Sequence, residues 1–249
     1  MFYMALAFAA VAFLYASVGF GGGSTYTAIL IESGLRYELI PPISLLCNIV
    51  VVSGGVLHFA RAGHLNLRFA APLVVTSIPA AFLGGYVHIE ETGFLATLGI
   101  ALLAAGVLML LDRRWGSQTG ASRSLGMSAR LVVGAILGAL AGITGIGGGI
   151  YLAPVLHLLR LADAKTVAAS CSLFILVNSV AGLAGHLGKL GSQIDVLLNM
   201  SYLALPVAVL IGGQFGSLIG ANRLPAAPIR RLTGLVILIV SVRLLWRAF

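Results

Sequence analysis

The chain has 249 residues, of which 59% are hydrophobic and only 9% charged, with a formal net charge of +8. A soluble domain carries roughly 25% charged residues, so this composition excludes a water-soluble globule and points to an integral membrane protein. Continuous Leu, Val, Ala, Gly and Ile runs exclude the alternating ~10-residue strands of a β-barrel, and basic residues confined to short breaks, with no aromatic-interleaved stripe, exclude nucleic-acid binding.

Five apolar segments fill the first half, at about 1–18, 24–34, 39–60, 69–88 and 93–111. The first lacks a basic leading region and a convincing cleavage site, so it reads as a retained helix rather than a signal peptide. Gly19-Phe20-Gly21-Gly22-Gly23 separates it from the second, which is too short to cross a ~30 Å hydrocarbon core. A glycine cluster inside apolar sequence frees backbone amides that only protein or a wet cavity can satisfy. A helix starting at about Ser24 would present unpaired N–H groups and a partial positive charge, the chemistry that holds an anion without a buried cation. Ser24, Thr25 and Tyr26 add hydroxyls there.

The third segment carries Ser44, Cys47 and Asn48, an amide at mid-span that needs a partner. His58 lies near its end, beside Arg61. After the fifth segment comes the one polar stretch, Asp112 to Arg130, which reads as an exposed cytoplasmic linker. Five more segments follow, at about 131–144, 150–159, 166–187, 196–221 and 229–246. Gly145-Ile146-Gly147-Gly148-Gly149 repeats the glycine cluster 126 positions after the first, again before a short segment that starts at about Ile150. Tyr151 follows it. The eighth segment holds Cys171, Ser172 and Asn178, with His186 near its end beside Lys189.

The halves match at an offset of 128: Ser44 with Ser172, Gly54 with Gly182, His58 with His186, and Gly84-Gly85 with Gly212-Gly213. Interrupted segments at corresponding places in two halves point to a transporter's binding site. The expected fold is therefore an all-α polytopic membrane protein of two inverted repeats, each a glycine-broken re-entrant hairpin plus three transmembrane helices. The expected units are a first repeat over 1–111, a linker over 112–130 and a second repeat over 131–249. Inverted repeats place the loops bearing Arg61 and Arg68, the linker arginines, Arg160 and Lys165, and Arg223, Arg230 and Arg231 in the cytoplasm. Arg36, Lys189, Arg243 and Arg247 then face out with both termini. Parallel halves give a poorer Lys/Arg asymmetry.

The candidate substrate-binding residues are Gly21, Gly22, Gly23, Ser24, Thr25, Asn48, Gly147, Gly148, Gly149, Tyr151, Ser172 and Asn178. His58 and His186 are candidates for a gate or proton carrier. Against each stands a plainer role: glycines that pack helices closely, amides that bond between helices, and histidines that sit at the interface. Cys47 and Cys171 read as small apolar residues. No acid is evident deep in a span, Glu32 at the end of the first short segment coming nearest. No His-Glu-x-x-His, phosphate-binding loop or carboxylate pair supports an enzyme, and no metal or cofactor is expected.

Val18-Gly19-Phe20-Gly21-Gly22-Gly23 and Gly142-Ile143-Thr144-Gly145-Ile146-Gly147-Gly148-Gly149 resemble the paired motif of the TauE/SafE family. Ala168-Ala169-Ser170-Cys171-Ser172, His186 and Gly212-Gly213 are similar to its second repeat, and the resemblance spans essentially the whole chain. It implies an inner-membrane permease for small, sulfur-containing anions such as sulfite, sulfonates or thiosulfate, with transport direction left open. Pro154 follows the second glycine cluster as that pattern leads one to expect, whereas the first has Ala28 at the matching place. The expected function is secondary transport of such an anion, with an anion channel or a membrane scaffold as alternatives. The expected partners are the anion and membrane lipid; transporters of this size often pair, which allows a homodimer.

Overall fold

The computed structural model describes residues 2–111, 125–190, 200–222 and 226–248. Ten helices account for nearly all of them, and no strand occurs among the described residues. They are α1 (Phe2–Ala16), α2 (Gly23–Glu32), α3 (Ile40–Arg61), α4 (Leu67–Tyr86), α5 (Glu91–Leu111), α6 (Met127–Thr144), α7 (Gly149–Leu158), α8 (Ala164–Leu190), α9 (Met200–Asn222) and α10 (Ala226–Ala248). Each expected segment corresponds to one helix. Residues 112–124 of the expected linker lie outside the described residues, and Met127–Arg130 already belong to α6.

Among the described residues, six helices are long and apolar enough to cross a membrane. The outer surface agrees: Leu6, Ile100, Val132, Val207, Phe215 and Ile239 are all more than half exposed. In water such a belt would be a large apolar patch, whereas in lipid it is the solvent-facing side.

The most extensive helix pairings all join a helix of the first five to one of the last five: α4 with α6, α1 with α9, α5 with α10, α4 with α8, α3 with α8, and α3 with α9. Exchanging the two halves leaves this pattern unchanged, since α4·α6 becomes α9·α1 and α4·α8 becomes α9·α3. The halves interdigitate and share one core. At its centre α3 and α8 run antiparallel, with Leu45 beside Gly182 and Gly55 beside Ser172.

Charged groups mark the two ends of the bundle. At one end Glu32 of α2 pairs with Arg243 of α10 at 2.8 Å, and Glu38, His88 and Lys189 line a common cavity. We call this the acidic end. At the other, basic end, Lys165 at the start of α8 donates to the Gly220 and Ala221 carbonyls that close α9. Arg130 of α6 lies over the Phe69 ring of α4 there, 5.2 Å from its centroid. Asp163 starts α8 at that end, accepting hydrogen bonds from the Lys165 and Thr166 amides and the Thr166 hydroxyl. Burial by itself would raise this carboxyl; the three donors hold it below the usual carboxylate range.

The glycine breaks turn the chain back on itself. α1 runs toward the basic end, where Ser17 packs on Gly220, and α2 returns to Glu32 at the acidic end. α6 runs the opposite way until Gly145 packs on Pro41, and α7 returns toward the basic end. Each hairpin is stitched by one Tyr–Thr hydroxyl bridge: Tyr15 with Thr25 at 2.8 Å in the first, Tyr151 with Thr144 at 3.3 Å in the second. The tyrosine sits on the long arm in one hairpin and on the short helix in the other.

Candidate functional site

The tips of the two hairpins meet in the middle of the bundle. Gly22 caps α2 with φ 91° and Gly148 caps α7 with φ 84°. Both conformations are left-handed, which a glycine adopts without the steric cost of a side chain. No side chain caps either helix; the Thr25 and Tyr151 amides already donate to the Gly22 and Gly148 carbonyls, so it is the amides ahead of them that face whatever lies between the tips. The helices point away from each other toward opposite ends of the bundle, so their positive dipole ends converge.

Asn48, near the middle of α3, joins the tips. Its Nδ2 donates to the Ile146 carbonyl of the second hairpin at 2.9 Å, while its carboxamide lies against Gly21 and Gly23 of the first. A carbonyl partner fixes the amide's orientation, so Oδ1 is the atom turned to Gly21, and it has no hydrogen-bond partner. Side chains at Gly21, Gly23 or Gly147 would overlap Asn48, Ile146 or Ser179. Close approach of the tips thus requires glycine at these places.

Between the tips lies a cavity of about 10 Å³, lined by Tyr15, Gly21, Gly22, Ser24, Ile146 and Ile175 among others. That volume holds about one water molecule. Around it the buried polar groups are under-satisfied. Ser24 Oγ in its lining, Ser179 Oγ beside Gly147 and Asn48 Oδ1 beside Gly21 all lack partners; the buried Asn178 amide, next along α8 to Ser179, lacks them too but is not part of the lining. An unpaired buried polar group costs roughly 1–3 kcal/mol, so polar contact from a bound group is favourable here.

The remaining predicted residues fall around this centre with distinct partners. Ser172 Oγ donates to the Gly19 carbonyl at 3.0 Å, and its repeat counterpart Ser44 donates to the Gly23 carbonyl at 3.2 Å; both hold the first hairpin. Thr25 and Tyr151 serve in the hydroxyl bridges. Gly149 packs on Ile175. Tyr26 stacks on Phe8 at 4.5 Å. His58 Nδ1 lies 2.9 Å from Ser217 Oγ at the basic end, whereas His186 Nε2 lies 2.8 Å from the Gly142 carbonyl nearer the acidic end. Glu32 is exposed and ion-paired, not deep in the membrane. Ser179 escaped the sequence reading. Its spacing of two helical turns from Ser172, on the same face of α8, is the signal that identifies it.

The arrangement offers backbone N–H donors, hydroxyls and one carboxamide in a site without a charged side chain. Such a site can bind a small anion and has no evident nucleophile, acid–base pair or metal ligand set among the described residues.

Comparison with known proteins agrees with the membrane architecture. The model of the family described as sulfite exporter TauE/SafE matches residues 3–244. A probable membrane transporter protein of Sinorhizobium fredii, y4hK, is 31% identical over 98% of this chain and 97% of its own length. YjnA, a probable membrane transporter protein of Bacillus subtilis, is 24% identical over 91% of this chain and 92% of its own. A probable membrane transporter protein of Methanocaldococcus jannaschii, MJ0441, is 23% identical over 78% and 74%. No solved structure matches the chain.

Proposed function

Given that the chain belongs to the sulfite exporter TauE/SafE family, we propose that this membrane transporter carries a small, sulfur-containing anion across the cytoplasmic membrane. The anion is held between the N-termini of α2 and α7, with Ser24, Asn48 and Ser179 adding polar contacts. The meeting of two uncapped helix starts around Asn48 carries this reading: a converging pair of helix dipoles suits negative charge in a site devoid of cations.

The two halves act as inverted repeats. Equivalent helices α3 and α8 lie antiparallel, as inversion in the membrane plane requires. The basic end then faces the cytoplasm by the positive-inside rule, and both termini face out. The gap of about 10 Å³ is too small for an oxyanion of sulfur. Substrate therefore enters when the tips part toward one side, which favours a carrier over a channel built from the same parts. His58 and His186 lie toward opposite ends and suit opposite gates.

Thermal unfolding of the purified protein with sulfite, thiosulfate, sulfoacetate, taurine and sulfate tests the reading. A bound anion at ~100 times its dissociation constant stabilises by about 2.7 kcal/mol. Ser24→Ala and Ser179→Ala leave the unfolding temperature without anion near wild type and shrink the anion-induced rise. Silence toward every sulfur anion removes the substrate class. A full response in both alanine variants moves the site elsewhere.

A further inference from the structure

At the acidic end a cavity of about 210 Å³ opens between α3, α4, α5, α6 and α8, with Tyr37, Glu38, His88, His186 and Lys189 among its lining residues. Pro41 forms part of its wall and packs directly on Gly145, the first residue of the second glycine turn. The cavity thus borders the second glycine turn, and we call it the antechamber. His186 is nearly fully buried in its wall, with 2% exposure. Its Nε2 faces the Gly142 carbonyl at 2.8 Å. A carbonyl only accepts, so Nε2 carries the hydrogen, and in the neutral ring Nδ1 is a bare lone pair. That atom has no hydrogen-bond partner. A buried base without a donor is costly to keep, and the ring that carries it lines the antechamber while Nδ1 itself lies sealed behind that wall.

Resting on the anion-carrier reading above, we propose that His186 Nδ1 is the proton-binding site of this transporter, and that a proton taken up there travels with the anion. Nδ1 has no exposed surface in this state, so the wall beside it parts first; a hydronium from the antechamber then gives its proton to Nδ1, the new N–H bond forming as the O–H bond breaks, and water is left behind. The ring becomes an imidazolium while Nε2–H stays on the Gly142 carbonyl. The added positive charge offsets that of an anion entering a low-dielectric site that has no other mobile cation. It also strengthens the hold on α6, the long arm of the second hairpin. Anion and proton therefore favour each other's binding, a reciprocal coupling.

The titratable groups facing His186 are Lys189 one turn along α8, Tyr37 and Glu38 from the α2–α3 turn, and His88 following α4. Lys189 Nζ donates to the Val87 carbonyl, and its positive charge, one turn from the ring, opposes an imidazolium there that an arriving anion offsets. From α6, Gly142 meets the ring and Ile143 shares the cavity wall, and neither titrates. The repeat-equivalent His58 has its Nδ1 engaged by Ser217, so proton uptake at that nitrogen belongs to one half alone.

Two measurements on the full chain decide this. Histidine-selective ¹⁵N NMR in nanodiscs, with the His186 signal assigned by its loss in His186→Gln, reads the ring without any anion. The expected state near pH 7 is N–H at Nε2 only, with a second proton appearing at Nδ1 on acidification. A His186 ring that stays singly protonated throughout while the protein remains folded overturns the proposal. In proteoliposomes loaded with a pH dye, ³⁵S-thiosulfate, which stays unprotonated in this range, should accumulate about tenfold per unit of imposed pH difference at zero potential, the ratio one coupled proton supplies. His64→Gln keeps that response and His186→Gln loses it. A folded His186→Gln protein, judged by its thermal unfolding, that still accumulates thiosulfate with the pH gradient overturns the proposal. No thiosulfate movement by wild type counts against the anion reading, and the NMR titration then decides the proton site by itself.

Discussion

Asn48 ties together two hairpins, lying against Gly21 and Gly23 of one and donating to Ile146 of the other, 98 positions further along the chain. One amide hydrogen serves the Ile146 carbonyl, and the unpaired Oδ1 is turned to Gly21. Asn48→Ala leaves the Ile146 carbonyl without its donor. The expected loss is on the order of 1 kcal/mol, since hydrogen bonds between membrane helices contribute little more than this. Asn48→Asp does more: it sets a carboxylate against a carbonyl and repels an anion arriving between the tips. Thermal unfolding should show a modest drop for the alanine variant and, for the aspartate variant, a larger drop with no anion-induced rise. An Asn48→Asp protein that is stabilised by anions as wild type is would place the anion away from this residue.

Two seams of glycines set how close the helices come. On α6, Gly134, Gly138 and Gly142 lie against the backbone of Leu73, Ser77 and Ala81 of α4. On α9, Gly212, Gly216 and Gly220 lie against Ala9 and Phe13 of α1 and Ser17 just past its end. Both are small-residue stripes with four-residue spacing, the device by which membrane helices approach without a hydrophobic driving force. They occupy equivalent seams, yet the stripe is on the long hairpin arm in one and on its partner helix in the other. Gly138→Leu and Gly216→Leu each drive a side chain into facing backbone. The expected cost is at least ~1–3 kcal/mol of overpacking, read as a lower unfolding temperature and loss of monodisperse protein. Gly126→Ala is the control: its φ is −56° and nothing stands within 4 Å of the added methyl, so stability stays at the wild-type value.

Across the whole molecule, charge and helix direction agree. Arg61, Arg68, Arg130, Arg160 and Lys165 gather at one end, while Glu32, Glu38, Glu90 and Glu91 gather at the other. Cys47 and Cys171 are fully buried, which gives a silent background for thiol labelling. Ser33→Cys at the acidic end should react with a membrane-impermeant maleimide in intact cells, and Arg68→Cys at the basic end only after lysis. The reverse pattern would turn the molecule over in the membrane and with it the side from which the antechamber of His186 opens.

Sequence by itself determined the membrane class, the ten helices and the two glycine breaks. Each is a local property: apolar run length, charge density and the inability of a glycine cluster to continue a helix in lipid. It also singled out Gly21, Gly147, Asn48 and Asn178, because an interrupted span or a mid-span amide is conspicuous by type alone. Only the tertiary structure decided which of these groups meet, because the contacts that matter cross between the halves. Ser172 and Ser44 share a repeat position and both donate to the first hairpin. His58 and His186 share another, yet use opposite ring nitrogens on different partners. Equivalent positions acquired different bonds because the loops and helices packed against them differ, and no spacing within one helix records what the opposing helix brings.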